Sequence, residues 1–247
     1  MKPAGQFFEG RTAEELQELV LSSGDLEEFL GELAQHSANG PFRAERQMIC
    51  AITVSRPKKP ATIGASSQRA FELEELQAEA GEGPSIAAMH GDHPECVKDT
   101  TRESRWPEFG QAAAVRGYTF VLAVPIELDD ECQAALSFYD THRSGFAESE
   151  ISTAEDIARQ VSRPLRLALR IRRLQEARDD LESAMKSRTV IDMAIGVVMA
   201  QNRCSPDEAF TLLRKASNAR NTKLRDVAGS IVAAIAGTTD IRSRFDL

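Results

Sequence analysis

From Glu148 to Leu247 every apolar run recurs with helical spacing, whereas the residues before it mix short helical runs with β-branched ones. A chain that changes hydrophobic period in this way is neither one uniform bundle nor an all-β protein. Four runs read as strands: Met48–Val54 (MICAITV), Thr62–Ser67, Phe120–Glu127 (FVLAVPIE) and Cys132–Tyr139 (CQAALSFY). Turn residues sit where hairpins need them, Pro57-Lys58-Lys59-Pro60 between the first pair and Asp129-Asp130 between the second. Residues 71–80 (FELEELQAEA), the stretch from Pro84 to Met89 and Glu108–Arg116 read as short helices, and 90–105 as a polar loop with at most one strand. Upstream, Thr12 and Glu15 form a capping-box pattern, and Leu26, Phe29, Leu30 and Leu33 follow Asp25 at helical spacing. This order predicts an α+β domain built on an antiparallel sheet.

The second half reads as helix only. Residues 150–187 form a long run that Pro164 is expected to interrupt. Leu167, Leu174 and Leu181 recur every seven residues, with Ile171 and Met185 at the second seam position and Arg178 spoiling one turn of it. That pattern predicts a short coiled-coil stalk. Three further helices are expected to share a small core. The first presents Val190, Ile191, Ala194, Ile195 and Val198. The second opens on Ser205-Pro206-Asp207-Glu208, an N-cap, a proline at the first helical position and a capping box, and presents Ala209, Phe210, Leu213 and Ala216. The third presents Leu224, Val227, Ala228, Ile231, Val232 and Ile235.

Charge divides along the same line. The 247 residues carry a net charge of -8, but residues 167–247 hold 14 Lys+Arg against 10 Asp+Glu, which leaves -12 on the first 166. A basic end on an acidic body points to a polyanionic partner. Arg214, Lys215, Arg220, Lys223 and Arg225 fall within twelve residues with no acid among them. Ser217, Asn218 and Asn221 add neutral groups suited to phosphate and sugar. No stretch approaches the ~18 apolar residues of a membrane span. The first residues lack the apolar core of a signal peptide. The four cysteines are scattered without a CxxC. A cytoplasmic protein without a membrane partner is expected.

The residues 187–232, SRTVIDMAIGVVMAQNRCSPDEAFTLLRKASNARNTKLRDVAGSIV, resemble an ANTAR domain, the RNA-binding module of bacterial transcription antitermination regulators. Ser187-Arg188, Ala194–Met199, Asp207-Glu208-Ala209-Phe210, Leu213-Arg214, Ser217 and Lys223–Ala228 carry the likeness. One departure is Ile195, where many members have a basic residue before the glycine. Upstream, GEGPSIAAM (81–89), RWPEF (105–109), VLAVPIEL (121–128) and AALSFYDTHRSGF (134–146) resemble a GAF sensory domain. The resemblance implies a GAF–ANTAR regulator, a homodimer in which a helical stalk joins sensor to effector. The expected organisation is an N-terminal helical segment (1–24), a GAF-like domain (25–165), a coiled-coil linker (166–186) and an ANTAR domain (187–240). RNA hairpins would be held by Arg188, Arg214, Lys215, Ser217, Asn221, Lys223 and Arg225. Cys96, Asp99 and Tyr118 are the candidates for lining a small-molecule site in the sensor.

Other readings carry less. His90, Asp92, His93 and Cys96 lie close in sequence but not at a zinc spacing, so no metal is predicted. Trp106 and Phe210 are assigned to the core, Phe210 in preference to stacking on a base. No GxSxG, P-loop, HExxH or kinase motif is present, so neither an enzyme nor a cofactor is predicted. The alternatives to RNA are a DNA-binding factor with a recognition helix and a ligand-sensing scaffold acting by protein contact.

Overall fold

The computed structural model describes residues 26–39, 48–128, 132–141 and 145–236. The expected 1–24 helical segment and the Asp129-Asp130 turn lie outside them. The chain divides into two compact units, residues 1–172 and 173–247.

The first unit contains a five-stranded antiparallel sheet in the order β2-β1-β5-β4-β3, formed by β1 (Ile49–Ser55), β2 (Thr62–Ala65), β3 (Glu95–Val97), β4 (Phe120–Ile126) and β5 (Gln133–Asp140). Its helices are α1 (Leu26–Ala38), α2 (Gln68–Ala80), α3 (Pro84–Gly91), α4 (Pro107–Val115) and the start of α5 (Glu148–Asn202). This is the expected α+β arrangement. Ile52 stands opposite Leu136, and Leu136 opposite Val124. Because side chains alternate across a strand, this register gathers Cys50, Ile52, Val54, Leu122, Val124, Leu136 and Phe138 on one face. Phe29, Leu30 and Leu33 of α1 and Ile157, Val161 and Leu165 of α5 cover that face. At Gly64 a Cβ would lie 2.2 Å from the Leu30 Cβ, so only glycine lets α1 approach β2 this closely.

The opposite face has a floor of smaller side chains, Ala51, Thr53, Ala123, Ala135 and Ser137, and a buried polar chain crosses it. Thr53 Oγ1 and Tyr139 Oη donate to the two oxygens of Glu74, at 2.8 and 2.6 Å. Gln77 Nε2 donates to Tyr139 Oη at 3.0 Å, and the Ser85 N–H and hydroxyl donate to Gln77 Oε1. Burial, then the Glu74 charge, pushes the Tyr139 phenol well above its ordinary range, so it stays a donor. This chain ties α2 and α3 to the sheet. Tyr139→Phe leaves a Glu74 oxygen and the Gln77 amide short of a partner, and should cost about 1–3 kcal/mol of unfolding free energy. Urea unfolding checks this; an unmoved midpoint would contradict it.

Helix α5 runs through Pro164, where the sequence reading placed a break. A helix-interior proline costs roughly 3 kcal/mol, and two things offset it. Val161 and Leu165, on either side, are fully buried against the sheet. The Ser162 hydroxyl and the Arg166 guanidinium also donate to the Glu127 carbonyl just beyond β4, the latter at 3.1–3.2 Å. The same helix continues to Asn202, so the separate first effector helix expected after residue 187 is the end of α5.

In the second unit, the last turns of α5 pack with α6 (Pro206–Arg220) and α7 (Leu224–Ala236). Ala194, Val198, Ala209, Leu213, Val227 and Ala228 are buried together as its core. The stalk leucines are not: Leu174 and Leu181 are 64% and 65% exposed, as is Met185 at 65%.

Candidate functional site

Helix α6 starts on the capping box read in the sequence. The Glu208 N–H donates to Ser205 Oγ, and the Ser205 N–H donates back to Glu208 Oε2 at 2.9 Å. That backbone hydrogen bond, then the one from the Ser205 hydroxyl, holds the Glu208 carboxyl below its ordinary range. A depressed folded-state pKa contributes stability above the unfolded value and loses it as pH falls through the folded one. The second unit should therefore weaken on acidification below about pH 4. Glu208→Gln, which keeps the cap but cannot titrate, should flatten that limb in a pH series of thermal melts. A limb as steep as in the wild type would contradict this.

Ala209, Leu213 and Ser217 turn inward on α6, which leaves Arg214 and Lys215 exposed. The helix ends at Asn221, whose φ of 50° is left-handed and whose N–H closes on the Asn218 and Ser217 carbonyls. The Ser217 hydroxyl donates to the Thr222 carbonyl at 2.6 Å. This turn brings exposed Lys223 and Arg225 directly after α6. Arg214, Lys215, Arg220 and Lys223 make no ion pair among the described residues, and so remain available to an external anion. Arg225 pairs with Asp226 at 3.5 Å, and Arg188 with Asp192 at 3.8 Å, both largely in solvent. Such pairs contribute only about 0–1 kcal/mol and give way readily.

Two residues sit differently from their sequence reading. Ser217 is buried, with its hydroxyl already committed to the turn, so it braces the basic face rather than presenting itself to phosphate. Phe210 is 39% exposed, at the margin of the inward stripe and one turn before Arg214. Its heptad-like spacing with Leu213 hid this, because Ala209 takes the inward position beside it.

An open groove of about 470 Å³ lies between α5 and α7, lined by Lys186, Ser187, Val190, Arg225, Asp226, Gly229, Ser230 and Ala233. The groove adds Lys186, which pairs with Glu182 at 2.9 Å in solvent, to the basic set. Arg225 is the one predicted RNA residue in its lining. The signal in the sequence was the glycine and small residues on α7 facing the Lys186-Ser187 turn.

In the first unit, Cys96 and Asp99 line a shallow depression of about 370 Å³ with Lys98, Arg102, Glu103, Ser104 and Arg105. Tyr118 does not join them. It is buried in the core, its ring edge-on to Tyr139 with centroids 6.1 Å apart. Arg105 occupies much of the rim: it pairs with Glu95 at 2.7 Å and Glu103 at 3.1 Å, donates to the Cys96 carbonyl, and lies 4.2 Å over the Trp106 ring. Trp106 is half-buried: it packs against the core beside Ile49 and Ala65, as assigned, and also gives Arg105 a platform. Burial pushes the Cys96 thiol up against the opposing pull of Lys98 and Arg105, which leaves it a poor nucleophile at neutral pH. The Asp99 carboxyl is held down, first by the Thr101 hydroxyl, which donates at 2.6 Å. In the HxDHxxC stretch, His93 approaches Glu95 at 3.5 Å, and among the described residues no three His, Cys, Asp or Glu side chains converge to hold a metal ion.

The first unit is thus an antiparallel α+β domain with helices on both faces, and the second a helical unit with a basic face. The chain belongs to the GAF domain family, whose model matches residues 25–165, and the ANTAR domain model matches residues 179–232. ANTAR domains are RNA-binding modules of transcription antitermination, and both domain types are regulatory. No curated protein matches the chain. Among solved structures, the GAF domain of a phosphoenolpyruvate-protein phosphotransferase from Coxiella burnetii is 16% identical, with a TM-score of 0.47, covering 71% of this chain and 99% of its own. An N-acylhomoserine lactone dependent LuxR family transcription factor from Burkholderia cenocepacia is 14% identical at a TM-score of 0.45, covering 63% and 95%. A free methionine-R-sulfoxide reductase from Neisseria meningitidis is 12% identical at 0.43, covering 69% and 95%. Among the described residues no helix is long and apolar enough to cross a membrane.

Proposed function

We propose that this protein is a cytoplasmic, non-enzymatic antitermination regulator. Its GAF domain tunes a homodimeric ANTAR effector that holds paired hairpins in nascent leader RNA and so keeps a terminator from forming. The observation that carries this reading is the set of exposed cations Arg214, Lys215 and Lys223, without an ion pair among the described residues, on a helix pair fixed by the Ser205–Glu208 cap and the Asn221 turn. Arg188 and Arg225 extend the set once their solvent-exposed partners release them. The Asn221 side chain lies exposed between the two helices, at the place where a neutral donor can reach phosphate or sugar. Hairpin RNA presents backbone phosphates to such a face and unstacked loop bases beside it. In the sensor, the depression at Cys96 and Asp99 is the candidate small-molecule site. The domain division at residues 24, 165 and 186 is part of the same reading.

Crosslinking the full-length protein to RNA in its host cells and sequencing the bound transcripts tests this proposal. Enrichment of leader segments with two adjacent hairpins upstream of a terminator is the expected result. Recovery of promoter DNA instead, or of no RNA class above background, would contradict it.

A further inference from the structure

Between Ile157 and Gln175 helix α5 holds six arginines and no acid, although the first 166 residues together are strongly acidic. Five of the six, Arg159, Arg163, Arg166, Arg170 and Arg173, fall at i, i+4, i+7, i+11 and i+14, which sets them in one row along the helix. At 1.5 Å per residue the row is about 21 Å long. It points away from the sheet. Val161 and Ala168 are buried in the core on the sheet, and Arg163 and Arg170, each two residues further on, lie roughly 200° round the helix. Arg159, Arg163, Arg170 and Arg173 are exposed. Asp156 holds Arg159 and the Glu127 carbonyl holds Arg166, whereas Arg163 and Arg170 make no ion pair or hydrogen bond among the described residues. Arginines three and four apart on one helix face repel each other, so the row weakens α5, and an anion laid along it removes that repulsion. The row contains no aromatic or aliphatic anchor of the kind that centres a protein interface. Its groups are guanidiniums throughout, which grip phosphate oxygens with two parallel N–H donors. A flexible strand can follow a straight row of cations with successive phosphates. A duplex winds its backbones away from a straight rod and meets it only where they cross.

We propose that the arginine row of α5 is a second RNA contact, which holds the unpaired RNA adjoining the bound hairpin. Arg163 and Arg170 take its phosphates, and Arg159, Arg166 and Arg173 extend the track. Contacts to phosphate carry no base preference, so the row adds affinity and not sequence selectivity. The proposal rests on the RNA-binding reading above and adds to it a separate site and the form of the strand it takes.

The test measures the full-length protein on three RNAs across a salt series: a bare hairpin, and the same hairpin with about ten unpaired uridines on its 5′ or its 3′ side. At least one extended RNA should bind about tenfold tighter than the bare hairpin at ~150 mM salt, with a salt slope steeper by ~1.4, two single-strand phosphate contacts of ~0.7 each. Arg163→Gln with Arg170→Gln keeps helix propensity. It should remove that gain and that slope, while affinity for the bare hairpin, solution mass and helix content by circular dichroism stay as in the wild type. Arg170→Gln alone should remove about half of the added slope. Equal binding of all three RNAs by the wild type would overturn the proposal. So would a gain that survives the double change, or a double variant that weakens on bare and extended hairpins alike. A wild type without the gain, whose solution mass falls on the double change, would give the row to the acidic surface of a second copy instead. Retention of no hairpin at all would overturn the RNA reading itself, and the arginine row with it.

Discussion

Lys215→Ala with Lys223→Ala should leave the second unit folded and sharply weaken its hold on hairpin RNA. Both side chains are exposed and neither makes an ion pair or hydrogen bond among the described residues, so their removal leaves the helix core of Ala194, Ala209, Leu213 and Val227 intact. Each phosphate contact releases condensed counterions, and its loss lowers the slope of log affinity against log salt by ~0.7–0.9. The double variant should therefore lose about 1.4–1.8 of slope, and the affinity gap from wild type should narrow as salt is raised. Filter binding across a salt series, with circular dichroism as the folding control, reads both quantities. Equal affinity at ~150 mM salt would make this face a solvated surface and nothing more.

The second large effect concerns the stalk. Leu174 and Leu181 project 64% and 65% exposed from α5, one heptad apart, with Met185 beside them. An exposed apolar stripe of this kind is stable in water only when covered, and in the proposed homodimer a second copy of the same helix would cover it by knobs-into-holes packing. Arg178 sits within the stripe, a polar seam residue of the type that fixes register and partner number at some cost in stability. Leu174→Glu with Leu181→Glu should shift the solution mass from two chains to one without loss of helix, because neither side chain contributes to the core of its own chain. The monomer should bind a single hairpin as before but lose the advantage on a tandem pair, which for linked sites reaches about 10²–10⁴-fold. A dimer that survives the double change would move the interface elsewhere in the chain.

Much of the fold was legible because its signals are local. The runs MICAITV and CQAALSFY form strands as read, since each is apolar on both faces and must be buried on both; their pairing with each other, Ile49 to Tyr139 through Ser55 to Gln133, joins the two expected hairpins and was not read. The capping box at Ser205–Glu208 behaves as read, because its atoms lie within one helical turn. What sequence reasoning missed depends on partners far along the chain. Pro164 does not break α5, since Glu127, more than thirty residues upstream, supplies the carbonyl that Ser162 and Arg166 grip. Glu74 and Gln77 received no role when FELEELQAEA was read only as a short helix. Their buried role follows from Tyr139 and Thr53 on strands the helix meets only in three dimensions. The signal was available in the spacing: Ala70, Leu73, Glu74 and Gln77 fall at i, i+3, i+4 and i+7, one face of a helix.

The basic cluster at the α6–α7 turn was equally legible, as charge counting needs no partner. The roles within it were not. Ser217 points inward because it is one turn beyond Leu213, and Tyr118 is drawn into the core by Tyr139 rather than towards Cys96. Charge alone also leaves RNA and DNA undivided, since both present phosphates.

The most direct test of the central claim is therefore a competition of full-length protein between an RNA carrying two adjacent hairpins and duplex DNA of equal length, at ~150 mM salt. The account predicts that the RNA is retained and that an excess of the DNA fails to displace it. Duplex DNA bound as tightly as the paired hairpins, or displacing them, would contradict it.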